Sequence, residues 1–240
     1  MDLIKQLFYT KNISKNTATL DEEESRHLTL SLRKKETEMV HFTDGKGYIY
    51  SGKIGKNNLK NKTVVLENVQ IIEFKPHTKP QTGIAISPIK NVDRFEWFIE
   101  KATELGVKHI YPIVCDRTEK TNIRLDRMEK ICISAMKQCL NSWQPIISAP
   151  QSFKEFLEID HVFEQKIIAH CEETSKTDLL ESLLPNKSTL VLIGPEGDFT
   201  GSEINVAIKK NFMPTSLGDF RLRTETAGVY CATIMNAFLK

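Results

Sequence analysis

Between residues 37 and 74 the apolar positions are rich in β-branched and aromatic side chains and are broken by turn residues, as in short strands. The pattern predicts strands over Met39 to Thr43, Tyr48 to Ile54 and Thr63 to Phe74, with Asp44-Gly45 turning the first hairpin. Upstream, Asp21 and Glu24 have the spacing of a helix start, and a short helix runs through Leu32. A small β-barrel carrying one helix accounts for this part of the chain. Lys75-Pro76-His77-Thr78-Lys79-Pro80 cannot easily extend a strand or a helix, so the boundary between two domains, 1–74 and 80–240, falls there.

Beyond the boundary, short apolar runs alternate with segments of helical period. Strands are predicted at Ile84 to Ser87, His109 to Val114, Lys166 to His170, Leu190 to Ile193 and Pro214 to Leu217. Asp93 with Glu96 is the expected cap of a helix whose Phe95, Phe98, Ile99, Ala102 and Leu105 form one core-facing stripe ending at Gly106. Further helices are expected over Leu125 to Leu140, from the Thr200/Glu203 capping box to about Lys210, and from a Thr224 cap to Phe238. This alternation predicts an α/β domain with a mainly parallel sheet and helices on both faces. The last helix is apolar around most of its circumference, so the domain core or a subunit interface must cover it.

Composition narrows the function classes. A 240-residue chain with 40% apolar residues and net charge +2 can build one large or two modest cores. Asp2 and Lys5 interrupt the N-terminus, and no apolar stretch has the length and flanks of an export signal or membrane span, so a cytoplasmic location is expected. Five scattered cysteines without a CxxC pair suit reduced core thiols, and six histidines without ligand spacing predict no metal. The first 80 residues hold 14 Lys and Arg against 10 Asp and Glu, while the remainder is slightly acidic. Within them Lys46, Lys53, Lys56, Lys60 and Lys62 follow one another with no acid between, which reads as a solvated loop or as a patch for a phosphate backbone.

Candidate chemistry concentrates at 190–228, where the Leu190–Ile193 strand stops at Gly194-Pro195-Glu196-Gly197 and the Pro214–Leu217 strand stops at Gly218-Asp219. The strand ending at His170-Cys171-Glu172 should point into the same crevice, beyond the carboxyl ends of the strands. Neither GK[ST] follows these glycines nor GxGxxG the Ile84–Ser87 strand, which argues against a P-loop and a Rossmann-type site. The dense cluster Arg221, Arg223, Thr224, Glu225 and Thr226 directly before an apolar helix exceeds what solubility calls for.

IGPEGDF at 193–199 and SLGDFRLRTETAG at 216–228 resemble the RsmE family of 16S rRNA uridine-N3 methyltransferases, in the SPOUT superfamily. RHLTLSLRKKE at 26–36, DRFEWFIEKATELGV at 93–107 and the Lys137-Gln138 region extend the resemblance over nearly the whole chain. It implies an N-terminal PUA-like β-barrel, a knotted SPOUT catalytic domain, S-adenosylmethionine as donor, a homodimer, and 16S rRNA of the small ribosomal subunit as partner. By the same analogy Ile193, Gly194, Gly197, Leu217, Gly218, Leu222 and Ala227 hold adenine and ribose. Glu196 is a ribose or methionine-end partner, Thr224 and Thr226 are polar contacts, and His170 joins the donor site. Arg223 is the candidate to stabilise charge on the uracil, because its cation is permanent and its donors are forked. Glu225 reads equally as a general base or as an ion-pair partner of an arginine. Arg26, Arg33, Lys34, Lys46 and Lys53 are the candidate RNA contacts. The chain departs from the family at Asp198, where relatives often carry glycine, at Leu140-Asn141-Ser142-Trp143, and in having only Lys5 near the N-terminus. Trp143 reads as a surface aromatic packed on its own domain, or else as a stacking partner for a base. The rival readings are a non-catalytic rRNA-binding assembly factor and a SPOUT enzyme acting on another RNA.

Overall fold

The computed structural model describes residues 4–55, 62–77, 80–159, 161–173 and 175–239. It divides into two compact units, Met1–His77 with Ile133–Gln144, and Thr78–Cys132 with Pro145–Lys240.

The first unit is a curled five-stranded sheet built from β1 (Phe8–Tyr9), β2 (Thr17–Thr19), β3 (Met39–Thr43), β4 (Tyr48–Ile54) and β5 (Val65–Phe74). Its order is β1-β3-β4-β5-β2, with every pair antiparallel except β1 with β3. Two register shifts between β4 and β5 accompany the curl, as bulges sharpen twist. Phe8, Leu20, Leu28, Phe42, Ile54 and Leu66 fill the inside. Helix α1 (Glu22–Arg26) is capped by Asp21, whose carboxylate accepts from the Glu24 amide, and it continues into one π-helical turn, His27–Ser31. Glu24 is 4% exposed, and burial raises its carboxyl pKa above the ordinary value. The Lys137 ammonium, hydrogen-bonded to it, opposes that shift.

Trp143 lies across the first sheet. A Cβ on Gly47, which sits at φ +91°, would come within 2.5 Å of the indole, and Nε1 donates to the Lys75 carbonyl at 2.7 Å. Trp143 thus packs within the compact unit to which it belongs, where the side-chain-free turn at Gly47 accommodates the ring. Lys56 and Lys60, together with Thr78 and Lys79 of the Pro-bearing linker, lie outside the described residues.

The second unit contains β6 (Thr82–Ile86), α2 (Val92–Glu104), β7 (His109–Val114), α3 (Leu125–Gln138, whose last turns belong to the first unit), β8 (Ile146–Ile147), β9 (Gln151–Ser152) and α4 (Phe153–Glu158). These are followed by β10 (Gln165–Ala169), β11 (Thr177–Asp178), α5 (Leu179–Ser182), β12 (Thr189–Ile193), α6 (Gly201–Lys209), β13 (Met213–Ser216) and α7 (Thr224–Phe238). All pairings are parallel, in the order β11-β13-β10-β12-β6-β7-β8, with β9 on β7. Alternate residues of the buried strand β12 serve two different cores: Val191 and Ile193 face α2, α3, α5 and α7, whereas Leu190 and Leu192 face α4 and α6. Gly228 brings α7 against α2, where an added Cβ would fall 2.5 Å from the fully buried Phe98 ring. None of the described helices is long and apolar enough to cross a membrane.

Two helix starts differ from expectation. Asn91 caps α2, its carboxamide accepting from the Arg94 amide, so the helix begins before Asp93. Arg223, without a side-chain cap, precedes α7, because the Thr224 hydroxyl is engaged elsewhere.

Candidate donor and acceptor site

Strands β6, β12, β10 and β13 run parallel, so their carboxyl ends share one edge of the sheet. Loops leaving that edge enclose a cavity of about 940 Å³, whose lining includes Asn91, Arg94, Arg117, His170, the turn Ile193 to Phe199 and the loop Ser216 to Glu225. That size lies within the range of small-molecule sites, which run from about 300 to 1,000 Å³.

Hydrogen bonds tie the loops together. The Thr224 hydroxyl donates to the Gly194 carbonyl at 3.0 Å, pinning the start of α7 to the turn after β12. Glu196 Oε1 accepts from the Lys90 amide at 2.9 Å, joining the same turn to the loop after β6. Asp198 Oδ2 accepts from the Cys171 amide at 2.7 Å, joining it to the loop after β10. Arg117 Nη1 donates to the Gly197 carbonyl at 2.7 Å. Gly194 and Asp198 both carry backbone demands. A Cβ on Gly194 would sit 3.0 Å from the Phe199 amide nitrogen, and Asp198 adopts φ +62°, a left-handed conformation that Asp and Asn enter more readily than most side chains. Aspartate thus fills a position where glycine also serves, and its carboxylate adds a cross-loop tie.

His170 is 6% exposed and lines the cavity, yet neither ring nitrogen has a hydrogen-bond partner among the described residues. Burial first, and the Lys176 ammonium second, push its pKa below the ordinary imidazole value, while Asp198 and Glu172 act weakly the other way. An unsatisfied buried polar group is costly, so this ring marks a place for a ligand's polar atoms.

Most residues singled out in the sequence converge here. Ile193, Gly194, Glu196, Gly197, Leu217, Gly218, Leu222, Arg223, Thr224, Glu225, Ala227 and His170 all line the cavity. Thr226 does not: it is exposed, because two residues along a helix from Thr224 turn it through roughly 200°. Glu225 is buried, with Oε1 3.7 Å from Arg94 Nη1, so of its two readings the structure displays the ion pair. The guanidinium of Arg223 enters no hydrogen bond or ion pair among the described residues and is exposed at the cavity. Arg94 and Arg117 went unforeseen in the sequence. Their signal was available, since each follows a strand whose carboxyl end belongs to the same edge.

Lys46 lies in the turn before β4 and Lys53 near the end of that strand, and both are exposed. Arg26 and Arg33 are exposed, and Lys34 is paired with Glu38 at 2.9 Å. Among the described residues no cluster of three His, Cys, Asp or Glu side chains could hold a metal ion.

Comparison with known proteins adds the lineage. The family model of the RNA methyltransferase domain matches residues 77–236. The ribosomal RNA small subunit methyltransferase E of Buchnera aphidicola subsp. Acyrthosiphon pisum is 31% identical over 97% of this chain and 92% of its own. A solved structure from Porphyromonas gingivalis superposes with TM-score 0.88 at 31% identity, covering 98% of both chains. A ribosomal RNA small subunit methyltransferase E from Neisseria gonorrhoeae, bound to S-adenosyl methionine, superposes with TM-score 0.82 at 26% identity, again over 98% of both. With the motifs at 193–199 and 216–228 meeting around one cavity, the chain belongs to the ribosomal RNA small subunit methyltransferase E family of RNA methyltransferases.

Proposed function

We propose that this protein transfers a methyl group from S-adenosylmethionine to N3 of a uridine in 16S rRNA of the small ribosomal subunit. The observation that carries the donor half is the buried His170 with both ring nitrogens unsatisfied, facing a cavity walled by the two family motifs. The cavity fits such a ligand in three respects: its volume, the close backbone approach allowed at Gly194, and polar groups awaiting partners. His170, Gly194, Gly197, Leu217, Gly218, Leu222 and Ala227 would hold it, with the second oxygen of Glu196 open to its polar end. When bound, the donor supplies an electrophilic methyl carbon on a positively charged sulfur.

The acceptor side follows from charge. Uracil N3 is a weakly acidic imide, so the enzyme must stabilise the negative charge that spreads onto the flanking oxygens as the proton departs. Arg223 offers a permanent forked cation at the cavity. Glu225, buried and paired with Arg94, fixes that arginine at the wall; the imide proton passes to water at the open mouth. N3 lies on the pairing edge, so the target uridine must be unpaired or flipped out. The first unit then serves as a PUA-like RNA-holding domain, with Arg26, Arg33, Lys46 and Lys53 as its cationic contacts. A SPOUT-type knot in the second unit and a homodimer burying the apolar outer side of α7 complete this reading.

The test is methyl transfer from labelled S-adenosylmethionine to small subunits lacking the modification, with nucleoside analysis. A 3-methyluridine product is expected. Donor binding with a different methylated nucleoside would move the acceptor, and absence of donor binding would leave an rRNA-binding assembly factor.

His170 gives this site a pH dependence of known sign. Its pKa is lowered from 6.5, so the ring stays neutral at neutral pH and gains a proton only below that value. Donor affinity is expected to hold steady above pH 6.5 and to fall as the pH drops further, when a cationic imidazolium would line the cavity that must take a cationic donor. Calorimetric titration across this range checks it, with His170→Asn expected to flatten the profile; an unchanged slope in the variant would assign the effect to another group.

A further inference from the structure

Phe220 lies in the loop between β13 and α7 and is 86% exposed while lining the cavity. The other phenylalanine of the lining, Phe199, is fully buried in the core beneath the sheet. Phe220 is thus the one phenyl ring that the described lining presents to incoming molecules. Its neighbours Arg221 and Arg223 are both exposed, and their guanidinium groups make no hydrogen bond or ion pair among the described residues. Arg221 nonetheless acts electrostatically on the Cys171 thiol, which places its charge toward the loop after β10.

The loop itself is held at both ends. Ser216 Oγ donates to the Gly218 carbonyl at 3.2 Å, and Thr224 is bonded to Gly194. Gly218, at φ +106°, turns the chain so that residues 219–221 project outward, and a Cβ there would meet nothing within 4 Å. An exposed aromatic ring followed closely by two exposed guanidinium groups on the same cavity lining is an arrangement by which proteins grip unpaired nucleic acid: the ring stacks on a base face and the cations meet nearby phosphates. An apolar protein partner would not call for the arginines, and the donor alone would not call for a ring turned to solvent.

Resting on the reading of an RNA acceptor, we infer that Phe220 is the stacking platform for an unpaired base of the RNA, with Arg221 clamping the adjoining phosphate. The ring is a positioning residue, so its loss should weaken RNA engagement and leave donor binding alone.

The experiment compares the full-length protein with its Phe220→Ala, Phe220→Trp and Arg221→Gln variants, each saturated with S-adenosylmethionine. Anisotropy of a short fluorescein-labelled unpaired oligouridylate reads RNA affinity, calorimetry reads donor affinity, and sedimentation reads mass. Phe220→Ala is expected to weaken oligonucleotide binding roughly tenfold, while Phe220→Trp restores it, because stacking needs only an aromatic face. Arg221→Gln is expected to flatten the salt dependence of binding. In methyl transfer to small subunits, Phe220→Ala should raise KM far more than it lowers kcat. Unchanged RNA affinity in Phe220→Ala overturns the inference. So does an equal loss of donor affinity, which would make the ring a cover for the donor, or a fall in sedimenting mass, which would make it a subunit contact. Phe220-dependent RNA binding without methyl transfer by the wild-type protein would instead strike the methylation reading and leave the platform standing.

Discussion

Replacing Arg223 with alanine is expected to lower kcat for methyl transfer by about 100-fold or more, the usual cost of removing one preorganised donor from a developing anion. Donor affinity should stay within about twofold of wild type. The backbone explains why the guanidinium can act in this way. The Arg223 carbonyl accepts from the Ala227 amide at 2.8 Å, and Thr224 is bonded to Gly194, so the Cα is fixed against the β12 turn while the side chain reaches the cavity unpaired. Arg223→Lys should recover only part of the rate, because an ammonium keeps the charge and loses the planar fork. Single-turnover rates with saturating donor and RNA separate these effects. A variant that loses donor binding in proportion to rate would show that Arg223 holds the donor rather than the acceptor.

The second large effect is on stability. Lys137→Met is expected to destabilise the protein by about 3 kcal/mol at neutral pH, because it strands the buried Glu24 carboxylate without its counter-charge. Glu24 already titrates above its ordinary value through burial, and loss of the ammonium raises it further. A carboxyl whose folded pKa is raised contributes stability that is intact below its unfolded pKa, near 4.5, and is lost as the pH climbs through the folded value. The penalty of the variant should therefore shrink as the pH falls toward 4.5. Urea unfolding at neutral and acidic pH measures this directly, and the Glu24→Gln/Lys137→Met double variant should recover most of the loss. An equal penalty at both pH values would point to lost packing of the lysine stem instead.

These two residues also mark how far a sequence can be read. Arg223 stands in a motif whose turns, strand and helix are contiguous, so local pattern suffices to place it at a strand end facing a cavity. Lys137 meets Glu24 across 113 positions, and nothing in the period of either helix announces the pair. The same contrast runs through the fold. Strands β6, β7, β10 and β12 are legible because each carries a buried apolar run between turn residues, whereas β13 is short and mostly half-buried. Strands β8, β9 and β11 are two residues each, too short to carry a period. At the start of α2, Asn91 and Asp93 both satisfy the capping rule, and periodicity cannot rank them; the first wins, and with it Arg94 arrives at the cavity wall as the partner of Glu225.

The placement of β12 governs the order in which the second unit can be completed. β12 lies between β6 and β10, pairing Thr189 with both Thr82 and Gln165, so the middle of the sheet is among the last parts to be synthesised. As the chain emerges, β6 can pair with β7, but its other edge stays open for about a hundred residues, and β10 has no inner neighbour at all. Such late, long-range closure makes for slow folding and a nascent chain that exposes an unpaired apolar edge throughout most of its synthesis. Truncation before Ile193 would accordingly yield an aggregating fragment rather than a smaller folded domain.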